Sequence, residues 1–161
     1  MVLERLKAWV KAGNVKLPRS ILFYRDGVSD GQYGITRLKE IPQVMGACED
    51  AEHFLGPNHN PFGQGRYRPA ITYIIVSKRH HTRFYPATTS RDEMDTTGNT
   101  MPGTVVDSEI TSPYDFDFYL QAHAPMKGQA RTAHYYVLRD ENKFSANELQ
   151  ELVSAVTSYD Q

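Results

Sequence analysis

Two continuous apolar runs dominate the hydrophobic pattern of the chain. Residues 20–24 and residues 70–76 show almost no polar alternation, and each run stops at a turn-forming or basic stretch. Such runs are typical of strands that are buried on both faces of a sheet. A helical segment and a loop separate the two runs, so the sequence predicts two parallel neighbouring strands joined by a right-handed crossover.

Helical periodicity marks both ends of the chain. Residues 2–10 place apolar side chains at helical spacing, and Gly13-Asn14 supplies a left-handed stop. Near the other end, Ser145 and Glu148 form a capping box in front of an apolar stripe. That stripe consists of Leu149, Leu152, Val153, Val156 and Tyr159.

A third helix is predicted after Ser29 and Asp30, which can cap its first turn. Pro42 lies inside its periodic pattern and predicts a kink or a break into two helices. We expect its apolar face to cover the sheet. This face consists of Tyr33, Ile35, Leu38, Ile41, Val44, Met45 and Cys48.

The remaining segments are loops and short strands. Glycine, proline and small polar residues predict loops at residues 56–69 and 86–101. Shorter strands are expected at residues 103–110, 116–122 and 134–139. Helices that alternate with strands indicate an α/β fold, and a length of 161 residues fits one domain.

The composition restricts the cellular compartment. Cys48 is the one cysteine, so no intramolecular disulfide can form, as is usual in a reducing compartment. The first residues form no signal-peptide core, and no apolar run approaches the length of a membrane span. We therefore expect a location in the cytoplasm or nucleus and no membrane partner.

The net charge of −1 hides an uneven distribution. No acidic residue occurs between Glu52 and Asp92, whereas this segment contains four of the six histidines and six cationic residues. The six cations are Arg66, Arg68, Lys78, Arg79, Arg83 and Arg91. Basic segments attract phosphates, so this charge distribution indicates a nucleic-acid partner.

Asp26 follows the first apolar run directly. In open α/β sheets, ligands and metal ions collect at the carboxyl ends of strands, where the strand holds the side chain and the loop leaves it accessible. Asp26 is therefore a candidate metal ligand. A simple Asp-Gly turn with Gly27 is the alternative, and this stretch alone favours it.

The stretch at residues 78–83 is the strongest local signal. Lys78, Arg79 and Arg83 follow the second apolar run together with two histidines, which suits recognition of backbone phosphates by charge-assisted hydrogen bonds. A solvated loop is the alternative. We set zinc aside because adjacent histidines on a strand point to opposite faces.

A second group of basic residues surrounds a loop that contains Gly128. The candidates are His123, Lys127 and Arg131, which could extend a phosphate-binding surface. His134 begins an apolar strand and is predicted to be structural. We also assign Tyr24, Tyr33, Tyr119 and Cys48 to packing in the core.

Five longer motifs occur in a fixed order along the chain. They are YRDGVSDGQY at residues 24–33, KRHHTRFYP at 78–86, PGTVVDSEI at 102–110, DFDFYLQAHAPMKGQARTAHYYVL at 115–138 and FSANELQ at 144–150. In order and approximate spacing, they resemble the Piwi domain of eukaryotic Argonaute proteins. The resemblance extends over nearly the whole chain and implies an RNase H-like mixed sheet flanked by helices.

The resemblance implies a small guide RNA, a complementary target RNA and Mg²⁺ as the metal. Active members of the family hold two metal ions, and the second aspartate of their catalytic set corresponds to Asp26, which fits the need of in-line phosphodiester cleavage for hard cations. Relatives also bind tryptophan-containing partner peptides on this domain. Positions that line the guide backbone in relatives correspond to Lys78, Arg79, His81, Arg83, His123 and Arg131.

The chain also departs from the family pattern. The other catalytic residues of the family lie before residue 20 or after the last helix, and the chain carries no counterparts there. We therefore expect residues 1–161 to be a partial Piwi domain that lacks N-terminal strands and the C-terminal segment. Such a piece would bind nucleic acid without cleaving it, because one carboxylate cannot hold two metal ions.

The sequence leaves three further expectations open. The chain could act as a Mg²⁺-dependent endoribonuclease, a slicer, when flanking segments complete its site. It could also serve as an interaction module for tryptophan-rich proteins. If strands before residue 20 are missing, an unpaired apolar sheet edge would favour self-association.

Overall fold

The computed structural model describes residues 1–63, 65–125 and 128–158. Contacts divide the chain into two compact units. Unit 1 comprises Met1–Phe23, Ser29–Tyr73 and Leu138–Asn142, and unit 2 comprises Tyr24–Val28, Ile74–Val137 and Lys143–Gln161. Within the described part of the chain, no helix combines the length and the apolar character that a membrane crossing requires.

Within the described residues, three helices and five strands make up the regular structure. In chain order they are α1 (Val2–Lys11), β1 (Ser20–Asp26), α2 (Tyr33–Leu55), β2 (Ala70–Ser77), β3 (Val105–Val106), β4 (Asp117–Leu120), β5 (Ala133–Asp140) and α3 (Ala146–Ser158). Short 3₁₀ turns lie at Asp30–Gln32 and Pro57–His59. The α/β class predicted from the sequence is confirmed.

The five strands form one mixed sheet in the order β1-β2-β5-β4-β3. A backbone hydrogen bond from Ala70 N–H to Arg19 O joins the beginnings of β1 and β2, so these strands run parallel. The Glu141 N–H donates to Ile71 O, which makes β5 antiparallel to β2. Strand β4 pairs antiparallel with β5 and also with β3.

Strand β2 is buried along most of its length. Ile71, Tyr73, Ile74 and Ile75 are at most 1% exposed, as the apolar run predicts. Each fully buried aliphatic side chain contributes about 1.5–3 kcal/mol of transfer free energy. The expectation for β1 was wrong: its five central residues are half-buried and its ends are exposed. Since β1 lies at one end of the strand order, fewer neighbours cover it.

Helix α1 ends just before Gly13, as the sequence predicted. Gly13 adopts a positive φ of 95°, which is the left-handed conformation expected of such a stop. Its buried residue Leu6 packs in a cluster with Leu17, Cys48 and Tyr67. Burial also raises the pKa of the Cys48 thiol to about 11, so this cysteine is an inert packing residue, as predicted.

Helix α2 differs from its predicted apolar face. It runs from Tyr33 to Leu55 through Pro42, so of the two predicted alternatives the break into two helices does not occur. It exposes Ile35 (51%) and Leu38 (78%), which were expected on the buried face. At about 100° per residue, Ile35 projects almost opposite to the buried side. That side is formed by Ile41, Val44, Cys48 and Ala51.

The other elements follow the prediction with shifted ends. The expected strand at residues 103–110 is reduced to Val105–Val106, while β4 and β5 lie within one or two residues of the expected bounds. Helix α3 begins with the predicted capping box. In that box, Ser145 N–H donates to Glu148 Oε2 (2.9 Å) and Glu148 N–H donates to Ser145 Oγ (3.4 Å).

The loop at residues 56–69 contains a buried polar network, although the sequence predicted an exposed loop. Asn60 is 1% exposed. Its amide donates to Glu52 Oε1 (2.8 Å) and Gly65 O (2.9 Å), and its carbonyl oxygen accepts from Phe62 N–H (2.9 Å). The second Glu52 oxygen accepts from Tyr67 N–H at 2.7 Å, so one glutamate orders both ends of the loop.

We expect Asn60→Ala to lower the free energy of unfolding by about 1–3 kcal/mol, because it removes three hydrogen bonds made by a buried amide side chain. Urea denaturation measures this change. Asn58→Ala is the matched control, since Asn58 is exposed in the same loop and should change the stability little. Equal losses for both variants would contradict a specific role for Asn60.

The position of β1 at the end of the strand order supports the predicted self-association. We expect the apparent mass in light scattering to rise with protein concentration, and Leu22→Lys in β1 to reduce that rise. Leu38→Lys, at an exposed position of α2, is the control and should leave the rise unchanged. A monomeric mass at all concentrations would refute this prediction.

Candidate nucleic-acid interface

The strand directions bring several candidate residues to one end of the sheet. Asp26 ends β1 and Lys78 follows β2, and these two strands are parallel. His123 lies shortly after β4, and Arg131 lies shortly before β5. Because β5 is antiparallel to both β2 and β4, all four positions occur at the same end of the sheet, within unit 2.

A cleft of about 630 Å³ opens at this end of the sheet. Four of the predicted phosphate-binding residues line it, namely Lys78, Arg79, His123 and Arg131. All four are exposed. The remaining lining residues are Ala122, Ala133, Tyr135 and Thr157, so the described residues contribute no carboxylate to the lining.

The cationic side chains of the cleft have no protein counterions in the described ranges. There, none of Lys78, Arg79 and Arg131 forms an ion pair or a side-chain hydrogen bond. By contrast, Arg66 and Arg68 lie 3.6 Å and 2.9 Å from carboxylate oxygens of Glu49 in unit 1. Between Glu52 and Asp92, the charges of Arg66 and Arg68 are therefore neutralised, whereas the charges of Lys78 and Arg79 are available to a ligand.

Two predicted residues do not line the cleft. His81 is exposed in the segment after β2, outside the lining. The guanidinium of Arg83 turns back on its own loop, where Nη1 donates to His80 O (3.0 Å) and Thr82 O (2.7 Å). Arg83 thus stabilises the backbone that carries Lys78 and Arg79.

The cleft wall includes a tyrosine that the sequence analysis did not single out. Tyr135 is 3% exposed, and its ring stacks on Phe118 with centroids 5.2 Å apart. Burial raises the pKa of Tyr135 to about 12, so its phenol stays protonated at neutral pH and can donate a hydrogen bond. In the sequence, Tyr135 lies within an apolar strand, and this pattern predicts only a packing role for it.

The histidines near the cleft have structural contacts. His134 Nε2 lies 2.7 Å from Asp117 Oδ2, and the ring stacks on Tyr119 with centroids 4.4 Å apart. These contacts confirm the structural role predicted for His134. His80 Nε2 lies 2.9 Å from the carbonyl oxygen of Thr132 and is therefore also engaged by the protein.

Asp26 is exposed as the last residue of β1, and Gly27 follows with a positive φ of 77°. Within the described residues, no three histidine, cysteine, aspartate or glutamate side chains are grouped closely enough to hold a metal ion. Two-metal catalysis needs several oxygen ligands around each ion. The described donor set therefore does not fit the pair of Mg²⁺ ions that the resemblance implies. Lys127 and Tyr159, named from the sequence, lie outside the described residues.

The chain is similar in sequence to Argonaute proteins of Oryza sativa subsp. japonica. Protein argonaute 1B of Oryza sativa subsp. japonica is 46% identical over 156 residues, which cover 96% of this chain and 13% of that protein. The chain thus spans about one eighth of the length of this relative.

Solved structures show the same fold. The C-terminal lobe of a budding yeast Argonaute matches with a TM-score of 0.77 and 37% identity, over 93% of this chain and 29% of that one. Kluyveromyces polysporus Argonaute, solved with a guide RNA, matches with a TM-score of 0.79 and 37% identity, over 93% of this chain and 18% of that one. The predicted Piwi-type sheet flanked by helices is therefore confirmed.

A model of the Piwi domain family matches residues 1–161. The five sequence motifs, which extend from residue 24 to residue 150, lie within this match. The chain belongs to the Piwi domain family.

Proposed function

We propose that this chain binds the sugar-phosphate backbone of a guide RNA as part of an Argonaute-like RNA-silencing protein. One observation carries the proposal. Lys78, Arg79, His123 and Arg131 line one cleft to which no described residue contributes a carboxylate. A polyanion is the ligand that such a cleft accommodates best, because it supplies the negative charge that the lining residues lack.

The chemistry of the side chains suits a phosphate backbone. An arginine guanidinium binds phosphate oxygens through two parallel hydrogen bonds, while a lysine acts as a compact point charge. These contacts hold a strand without reading its bases, as a protein that accepts many guide sequences requires. Support also comes from the similar Kluyveromyces polysporus Argonaute, which was solved with a guide RNA.

The target RNA would enter as the strand complementary to the guide, and RNA silencing would place the protein in the cytoplasm or nucleus. Binding of tryptophan-rich proteins stays a prediction from the family resemblance. Neither partner is needed for the contacts that the cleft residues would make with a guide RNA.

We expect Lys78→Ala and Arg131→Ala each to weaken binding of single-stranded RNA by roughly threefold to tenfold at low salt, since each removes one charge-assisted phosphate contact. Each should also reduce the slope of log affinity against log salt by about 0.7. Fluorescence anisotropy over a salt series measures both quantities.

Arg91→Ala is the matched control for this experiment. It removes the same charge from an exposed site that does not line the cleft. If Arg91→Ala weakened binding as much as the cleft variants, net charge rather than the cleft would determine the affinity. A wild-type chain that retains no RNA at any salt concentration would refute the proposal itself.

A Mg²⁺-dependent endoribonuclease is the second candidate function, because Asp26 lies exposed at the same end of the sheet as the cleft. In this hypothesis, segments outside the described residues would supply the missing ligands. Asp26 would then be both a catalytic residue and a metal ligand.

We expect the purified chain to leave a guide-paired target RNA intact in Mg²⁺, because the described residues contain no group of three metal-ligating side chains. Gel analysis of end-labelled target measures cleavage. The slicer hypothesis would gain if Mg²⁺-dependent cleavage occurred and Asp26→Ala abolished it, while Asp30→Ala, at a nearby exposed carboxylate, left it unchanged.

A further inference from the structure

Arg131 lies in an exposed loop, yet side chains from distant parts of unit 2 hold the residues around it. Asn99 is 5% exposed and approaches this loop from the segment before β3. Its Nδ2 donates to Gly128 O at 3.0 Å, and its Oδ1 accepts from Ala130 N–H at 2.8 Å. One buried amide therefore holds the backbone immediately before Arg131.

His80 holds the other side of Arg131. Its Nε2 lies 2.9 Å from the carbonyl oxygen of Thr132, so this nitrogen carries the hydrogen and donates it. The ring also packs edge-on against Tyr119, with centroids 5.2 Å apart. His80 follows Lys78 and Arg79 by two residues and one residue, so this hydrogen bond also connects the two basic segments of the cleft.

Asn99 is itself held in place by its own turn. The Asp95 carboxylate oxygen Oδ1 accepts from the backbone N–H groups of Asn99 and Thr97, both at 2.8 Å. Asn99 Nδ2 also donates to Thr97 Oγ1 at 2.7 Å. With these bonds, both amide hydrogens and the carbonyl oxygen of the Asn99 side chain are engaged, which restricts it to one orientation.

We propose that Asn99 and His80 are positioning residues that hold Arg131 at the phosphate-binding cleft. The proposal rests on the proposed function and adds residues that do not line the cleft themselves. Its physical basis is conformational entropy: a loop that is ordered before binding loses less freedom when the arginine contacts a phosphate. Without these three hydrogen bonds, part of the binding free energy would be spent on ordering residues 128–132.

A double-mutant cycle tests this inference through the affinity for single-stranded RNA at low salt. We expect Asn99→Ala to weaken binding roughly threefold to tenfold in the wild-type background and to have no further effect when combined with Arg131→Ala. Combined with Lys78→Ala, the two losses should multiply, because Asn99 does not contact Lys78. The two backgrounds thus separate an effect through Arg131 from a general loss of structure.

Equal losses from Asn99→Ala in the Arg131→Ala and Lys78→Ala backgrounds would overturn the inference, since the residue would then act on the fold as a whole. If Arg131→Ala alone left the affinity unchanged, the proposed role of the cleft would fail first. Should Asn99→Ala not fold, the uncharged variant Asn99→Ser passes through the same cycle. Its side chain ends one bond short of the amide atoms that bind Gly128 O and Ala130 N–H, so a loss that Arg131→Ala abolishes is expected.

Discussion

The burial of β2 between β1 and β5 is the constraint on which the rest of the structure depends. Its residues Ile71–Ile75 are at most 1% exposed, so neither the register nor the direction of this strand can change without exposing a large apolar surface. With β2 held in this way, the carboxyl end of β2 and the adjacent ends of its neighbours lie at one end of the sheet. The position of the cleft at that end therefore follows from the packing of the core.

The same arrangement has an electrostatic cost. Lys78, Arg79 and Arg131 line one cleft whose described lining includes no carboxylate, and two unit charges 4 Å apart in water repel each other by about 1 kcal/mol. Exposure to solvent and salt keeps this cost small. Arg68, by contrast, lies 2.9 Å from a carboxylate oxygen of Glu49, which neutralises its charge. Charge left without a counterion is what a polyanion can use.

Much of the fold could be predicted because its signals are local. The capping box of Ser145 and Glu148 lies within one helical turn, and the apolar run of β2 needs no knowledge of its neighbours. Errors arose where a residue depended on distant elements. Ile35 is apolar but projects away from the buried side of α2, and the burial of β1 depended on its place in the strand order.

The sequence by itself determined the helices, the buried strand β2 and the types of residue that gather near phosphates, because hydrophobic periodicity and charge are properties of short segments. Only the tertiary structure decided which of these residues share a cleft: His123 and Arg131 line it, whereas Arg83 turns back on its own loop. It also brought Asn99 to Ala130 across 31 residues. Contacts of that kind depend on the path of the loops and on the direction of the strands, which no local pattern encodes.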